Sequence, residues 1–182
     1  DVYKIQCDML MEEISVTGTA NVVMGAVLAE GKTTIYNAAC EPYVQQLCKM
    51  LVEMGAKIRG IGSNLLEIEG VEYLSGAVHT ILPDMIEVGS FIGMAAMTQS
   101  EVTISNAAVH ELGNIPAVFQ KLGIQLDIQG NNIHIPQQDS FLISIFFCSS
   151  IRFIYDSRFP CFPPYFLSII LFFATPPRGS VL

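Results

Sequence analysis

Two stretches of the 182-residue chain carry residue types that could do chemistry. The first is Ser15-Val16-Thr17-Gly18-Thr19, where hydroxyls crowd a glycine just before an apolar run. That run predicts a helix starting near Ala20. Backbone N–H groups left unpaired at a helix start, with hydroxyls beside them, form an anion site. The same hydroxyls also serve as helix caps. The spacing alone leaves both uses open. The second stretch is Asp156–Ser168, DSRFPCFPPYFLS. Its Asp156 is the only acidic residue after Phe141, and it reads as a loop residue capping its own turn.

Other reactive side chains form no constellation. The five cysteines (Cys7, Cys40, Cys48, Cys148 and Cys161) are odd in number and contain no C-x-x-C pair. Neither a zinc site, a redox motif nor a disulfide framework follows. Cys40 and Cys48 read as structural thiols, and Met50, Met54, Met94 and Met97 as core filling. His79, His110 and His134 are too scattered for a metal site.

Nine basic residues against seventeen acidic ones give a net charge of −8. That excludes a counterion-displacing nucleic-acid binder and fits a soluble cytoplasmic protein. Hydrophobic content is 51%, and nine of the eleven Phe lie after position 140, which raises the question of a membrane span. A spanning helix needs about 20 continuous apolar residues. The runs Phe141–Ile151 and Tyr165–Ala174 are shorter, and charged residues and prolines separate them. Asp1–Glu13 has no basic n-region and no apolar h-region, so it is not a signal peptide.

The elements that must position these residues come from an internal repeat. Ile35, Asn37, Ala38 and Ala39 recur as Ile104, Asn106, Ala107 and Ala108, 69 positions on. Gly55 recurs as Gly123 and Ile68 as Ile135. Each copy opens with an apolar helix rich in small residues (Ala20–Glu30; Val88–Thr98), a composition suited to burial on nearly all sides. A β-branched strand follows (Thr33–Tyr36; Val102–Ser105) and ends at Asn-Ala-Ala. Next comes an amphipathic helix, in the first copy beginning at Pro42 with Val44, Leu47, Cys48, Leu51 and Val52 on one face. Gly55 and Gly123 suit a left-handed C-terminal cap. Two strands joined by a turn close each copy: Lys57–Gly60 with Leu65–Glu69, and Gln125–Ile128 with Asn132–Ile135. A third copy starts with Phe166–Ala174 and stops inside an expected strand. Such architectures need at least about three units for a closed core, so the chain reads as a piece of a longer protein.

The runs SVTGTANVVMGAVLAEGKTTIYNAACEP (Ser15–Pro42), LVEMGAKIRGIGSNLLEIEGVEYLSG and HTILPDMIEVGSFIGMAAM (His79–Met97) resemble the UDP-N-acetylglucosamine 1-carboxyvinyltransferase family. The resemblance covers nearly the whole chain. It is specific to about Pro136 and degraded but traceable over 140–182. It implies an α/β (α+β) fold, an inside-out α/β barrel of βαβαββ repeats around buried helices, incomplete in this chain. Residues 1–82 would end one domain, 83–89 (PDMIEVG) would carry the crossover, and 90–182 would open the other domain.

The implied reaction transfers enolpyruvyl from phosphoenolpyruvate to the 3-hydroxyl of UDP-N-acetylglucosamine, with phosphate leaving from a tetrahedral adduct. The implied partners are those two small molecules, bound in an interdomain cleft, with no metal or organic cofactor, no nucleic acid and no membrane. In the family, the stretch matching Ile14, Ser15, Val16 and Thr17 contacts the UDP part of the nucleotide sugar. Glu13 stands where relatives often carry a basic residue, and a carboxylate there repels a diphosphate. The family's proton-transferring Asp matches Tyr165, a phenol and a poor base at neutral pH. No catalytic residue is therefore assigned in this chain. The family's early Lys-Asn pair, its loop Cys or Asp and its later Arg residues have no counterpart in these 182 residues. The tail's Cys161, Tyr165, Phe172 and Phe173 each differ from the family by one G-to-T codon change, which points to read errors or decayed coding. Two other readings stand beside this one. A 3-phosphoshikimate 1-carboxyvinyltransferase would carry Ser-Ser-Gln near Ser15-Val16-Thr17, which is absent. A non-catalytic remnant of the fold is the other.

Overall fold

The computed structural model describes residues 6–139, and the Phe-rich tail, with Asp156 and Tyr165, lies outside that range. The chain divides into two units, Asp1–Leu82 and Pro83–Leu182. In the first, β1 (Gln6–Leu10), α1 (Val16–Ala26), β2 (Lys32–Tyr36), α2 (Pro42–Glu53), β3 (Lys57–Arg59) and β4 (Leu65–Glu69) follow in order. They build a four-stranded sheet of order β1-β2-β4-β3. β1 runs parallel to β2, and the other pairs are antiparallel. The parallel pair needs a crossover, and α1 supplies it. β1 escapes sequence reading because QCDML has no β-branched residue and little alternation. It lies at the sheet edge, mostly exposed.

The core of this unit is Val23, Ile35, Cys48, Leu66 and Ile68 with their neighbours, where the sheet meets one face of α1 and one of α2. α2 begins at Pro42, whose missing N–H costs nothing at a first helical position. Val44, Cys48 and Leu51 face inward as the period predicts, but Val52 is exposed and Gln46 is buried in its place. Gln46 is tolerated there because its Nε2 donates to the Thr80 carbonyl at 3.0 Å. Gly55 takes φ +106°, and Ala56 N–H bonds back to the Leu51 carbonyl, closing the helix as expected.

The second unit holds α3 (Met85–Met97), β5 (Val102–Ile104), a 3-10 turn (Val109–Glu111), α4 (Ile115–Lys121), β6 (Asp127–Gln129) and β7 (Asn132–Ile135). Its sheet order is β5-β7-β6, which repeats β2-β4-β3. The registers correspond: Thr33 faces Ile68 as Val102 faces Ile135, and Ile35 faces Leu66 as Ile104 faces Ile133. The strand-end asparagines adopt the same left-handed backbone, φ 59° at Asn37 and 54° at Asn106, a conformation asparagine tolerates. After each, the Ala38 or Ala107 N–H reaches the Asn64 or Asn131 carbonyl, at 2.9 and 2.7 Å.

Three features depart from the sequence reading. α1 starts at Val16 rather than Ala20, and α3 at Met85 rather than Val88, so Met85–Gly89 of the expected crossover is helix. Asp84 accounts for the second shift, since its Oδ1 accepts from Ile86 N–H at 2.7 Å. The amphipathic helix of the second copy is broken, because Gly113 at φ +53° turns the chain between the 3-10 turn and the seven-residue α4. Finally, the apolar helices are not covered all round. Met24 on α1, Leu28 in the turn after it, and Phe91, Met94 and Met97 on α3 are each about half exposed. A Cβ at Gly25 would meet nothing within 4 Å.

Candidate functional site

Parallel strands end at a common rim, and in α/β sheets ligands gather there. At that rim β1 leads into α1, and β2 leads into the Asn37–Glu41 loop. Three hydrogen bonds stitch the two exits together. Met11 N–H donates to the Tyr36 carbonyl at 3.0 Å, and Asn37 Nδ2 donates to the Met11 carbonyl at 3.0 Å. Ala39 N–H donates to Thr19 Oγ1 at 2.9 Å, a bond buried within the unit. Thr19, read from sequence as a possible cap, is instead a brace inside the helix. The recurring Asn-Ala-Ala was the signal that this loop is structured, but only the fold shows what it grips.

Ser15 is the N-cap of α1. Its Oγ accepts from Gly18 N–H at 3.0 Å, its carbonyl accepts from Thr19 N–H at 2.9 Å, and Thr17 Oγ1 lies 3.4 Å from its Oγ. The Val16 and Thr17 N–H groups carry no hydrogen bond among the described residues. Two backbone donors and two hydroxyls therefore share one helix start. The partial positive charge of a helix N-terminus, about half an elementary charge, is centred on the same donors. Gly18 has little room for a side chain: a Cβ there would lie 2.9 Å from Met11 Cε and 3.0 Å from Ser15 Oγ.

The four residues that the resemblance singled out lie in succession here but differ in setting. Ile14 is 56% exposed, Ser15 is half-buried, Val16 packs against the core, and Thr17 is exposed. Glu12 and Glu13 are exposed just before the cap and form no ion pair among the described residues. Their field opposes an anion at the donors.

The remaining candidate groups have local partners. His79 Nδ1 sits 2.9 Å from Glu53, and His134 Nδ1 sits 3.0 Å from Thr103 Oγ1. His110 lies 3.6 Å from Glu111. No group of three or more His, Cys, Asp or Glu among the described residues could hold a metal ion. Burial raises the Cys48 thiol to about 11, so it stays protonated and unreactive at neutral pH. No described helix is long and apolar enough to cross a membrane.

The repeated topology, with one donor-lined helix start at the rim of the parallel β1–β2 pair, defines a mixed α/β repeat protein with a candidate anion site. The sequence profile of EPSP synthase (3-phosphoshikimate 1-carboxyvinyltransferase) matches residues 4–146. The chain belongs to that family, and its fold is the family's mixed α/β fold, incomplete here. It is 59% identical to the UDP-N-acetylglucosamine 1-carboxyvinyltransferase of Bacteroides fragilis, covering 100% of this chain and 43% of that protein. The protein of the same name from Porphyromonas gingivalis is also 59% identical, over 96% of this chain and 40% of its own length. Among solved structures, the enolpyruvyl transferase NikO from Streptomyces tendae matches with a TM-score of 0.55 at 25% identity. That match covers 65% of this chain and 29% of NikO. The chain thus spans less than half the length of the curated relatives it matches.

Proposed function

We propose that the full-length protein is a cytoplasmic transferase that moves enolpyruvyl from phosphoenolpyruvate to the 3-hydroxyl of UDP-N-acetylglucosamine, in peptidoglycan precursor synthesis. The observation that carries this reading is the 59% identity to relatives bearing that enzyme's name, extending across the whole chain. In this reading, residues 1–82 end one domain, Pro83–Gly89 leads to the next, and the rest opens it.

The part of the site contributed by this chain is the α1 start. Val16 and Thr17 N–H groups and the Ser15 and Thr17 hydroxyls would receive the UDP portion, with Ile14 flanking it. Donors fixed on a rigid helix need no reorganisation when the anion arrives. The nearby Glu12 and Glu13 weaken that attraction, so cationic groups from the rest of the protein must supply the remaining charge. No proton-transfer residue is assigned within residues 6–139.

The test is phosphate release by the full-length gene product. Turnover that needs both phosphoenolpyruvate and UDP-N-acetylglucosamine is expected. Turnover with 3-phosphoshikimate in place of the nucleotide sugar, or none with either, would overturn the assignment.

A further inference from the structure

Among the described residues, one buried side-chain oxygen has no hydrogen-bond partner: Oε2 of Glu41. Glu41 ends the loop that leaves β2 at the rim of the parallel strands, and it is the N-cap residue of α2. Its carboxylate does not cap. The side chains suited to capping are the shorter Ser, Thr, Asp and Asn, and Glu41 makes no side-chain cap bond. Pro42 has no N–H to offer, and the Val44 and Gln45 N–H groups donate to the Glu41 carbonyl, at 3.0 and 3.1 Å. No Lys, Arg or His among the described residues forms an ion pair with it.

The loop is held in place without this carboxylate. Ala38 N–H donates to the Asn64 carbonyl at 2.9 Å, Ala39 N–H to Thr19 Oγ1 at 2.9 Å, and Gln45 Nε2 to the Cys40 carbonyl at 2.7 Å. Burying an acceptor without a donor costs free energy, so such an atom marks a place where a donor belongs. The Thr19 bond ties the loop to α1 within one turn of the Val16 and Thr17 donors. A nucleotide sugar whose diphosphate sits at those donors brings its other parts to the same rim. Charge decides which part can meet Glu41. The diphosphate repels a carboxylate. The sugar is neutral and carries hydroxyl and acetamido N–H donors, with which a carboxylate forms strong charge-assisted bonds.

We propose that Glu41 is a substrate-binding residue that recognises the N-acetylhexosamine of the nucleotide sugar, its Oε2 accepting from a hydroxyl or N–H of that sugar. The proposal rests on the nucleotide-sugar reading above. It extends that reading from the α1 start to the loop after β2.

Calorimetry on the full-length protein, with UDP-N-acetylglucosamine and with UDP, separates sugar contact from contact with the rest of the ligand. Glu41→Ala should weaken UDP-N-acetylglucosamine roughly 10–100-fold, the range for a hydrogen bond to a charged group, and leave UDP unchanged. Glu41→Gln keeps the shape and one oxygen acceptor, and should show the same selectivity with a smaller loss. Ligand-free melting temperatures should not fall, because an unpaired buried carboxylate is removed. Equal weakening of both ligands with a lower melting temperature would make Glu41 the partner of a protein cation and overturn the proposal. No loss with either ligand would overturn it too. If Glu41→Ala does not fold, the isosteric Gln variant decides. Wild-type protein that binds neither UDP nor UDP-N-acetylglucosamine overturns the enzyme reading and this proposal with it.

Discussion

Replacing Thr19 by Val tests whether the brace at the rim is as important as its geometry implies. Thr19 is fully buried, and its Oγ1 is the acceptor for Ala39 N–H at 2.9 Å. Valine has nearly the same shape and, like threonine, is β-branched, so helix propensity and packing change little. What changes is that the Ala39 N–H, on a residue 1% exposed, loses its acceptor. An unsatisfied buried donor costs about 1–3 kcal/mol. Burying a methyl group where the hydroxyl was returns up to ~0.8 kcal/mol. With the full offset the expected net loss is therefore about 0.2–2.2 kcal/mol. With a urea dependence near 2 kcal/mol per molar, the midpoint falls by roughly 0.1–1.1 M. Urea unfolding of the full-length protein followed by circular dichroism gives the value. Thr19→Ser keeps the acceptor and gives up only the buried methyl group, about 0.8 kcal/mol, so Ala39 N–H stays protected from hydrogen exchange in Thr19→Ser and loses protection in Thr19→Val. A Thr19→Val midpoint equal to wild type would refute the claim that this bond joins α1 to the strand-end loop.

Ser15→Ala should lose the N-cap, at about 1 kcal/mol, and also weaken UDP binding measured by calorimetry. Ser15→Asp should keep the cap yet bind UDP more weakly still, which separates capping from ligand contact. Gly55→Ala should destabilise by about 1 kcal/mol because φ +106° strains any L side chain, whereas Gly25→Ala, in open space on α1, should stabilise by a similar amount. Thermal melts of the pair check both signs. Cys48 favours the neutral thiol in the folded state, so its contribution is intact below pH 9.0 and is lost as pH rises toward about 11. Alkylation should accordingly modify exposed Cys7 at pH 8 and leave Cys48 unmodified, as read by peptide mass spectrometry.

Much of the fold is legible in the residues because the chain states it twice. Strand β4 and strand β7 fall where the turn residues before them put them, α2 starts at its proline, and Gly55 and Gly123 cap as their spacing predicts. These are local rules, acting within a few residues. The apolar helices were legible in type but not in position. The caps Ser15 and Asp84 lie five and four residues ahead of the expected helix starts at Ala20 and Val88, and a cap is recognised by the bond it makes. The anion-site stretch was readable as residue types, yet the sequence left capping and ligand contact open. The structure has Ser15 capping while Val16 and Thr17 keep their donors.

Other features depend on contacts between residues distant in sequence. Strand β1 exists because β2 offers it a parallel edge, not because QCDML prefers a strand. Gln46 is buried because a carbonyl 34 residues away accepts from it, a partner no helical period reveals. Thr19 becomes a brace rather than a cap because the chain returns to it at Ala39. Ser75–His79 occupies the β1-equivalent place in sequence but lies along α2, since its hydroxyl, imidazole and neighbouring carbonyl find partners there. Local sequence determines which conformations a segment can adopt. Tertiary packing decides among them by which buried donors and acceptors it can satisfy.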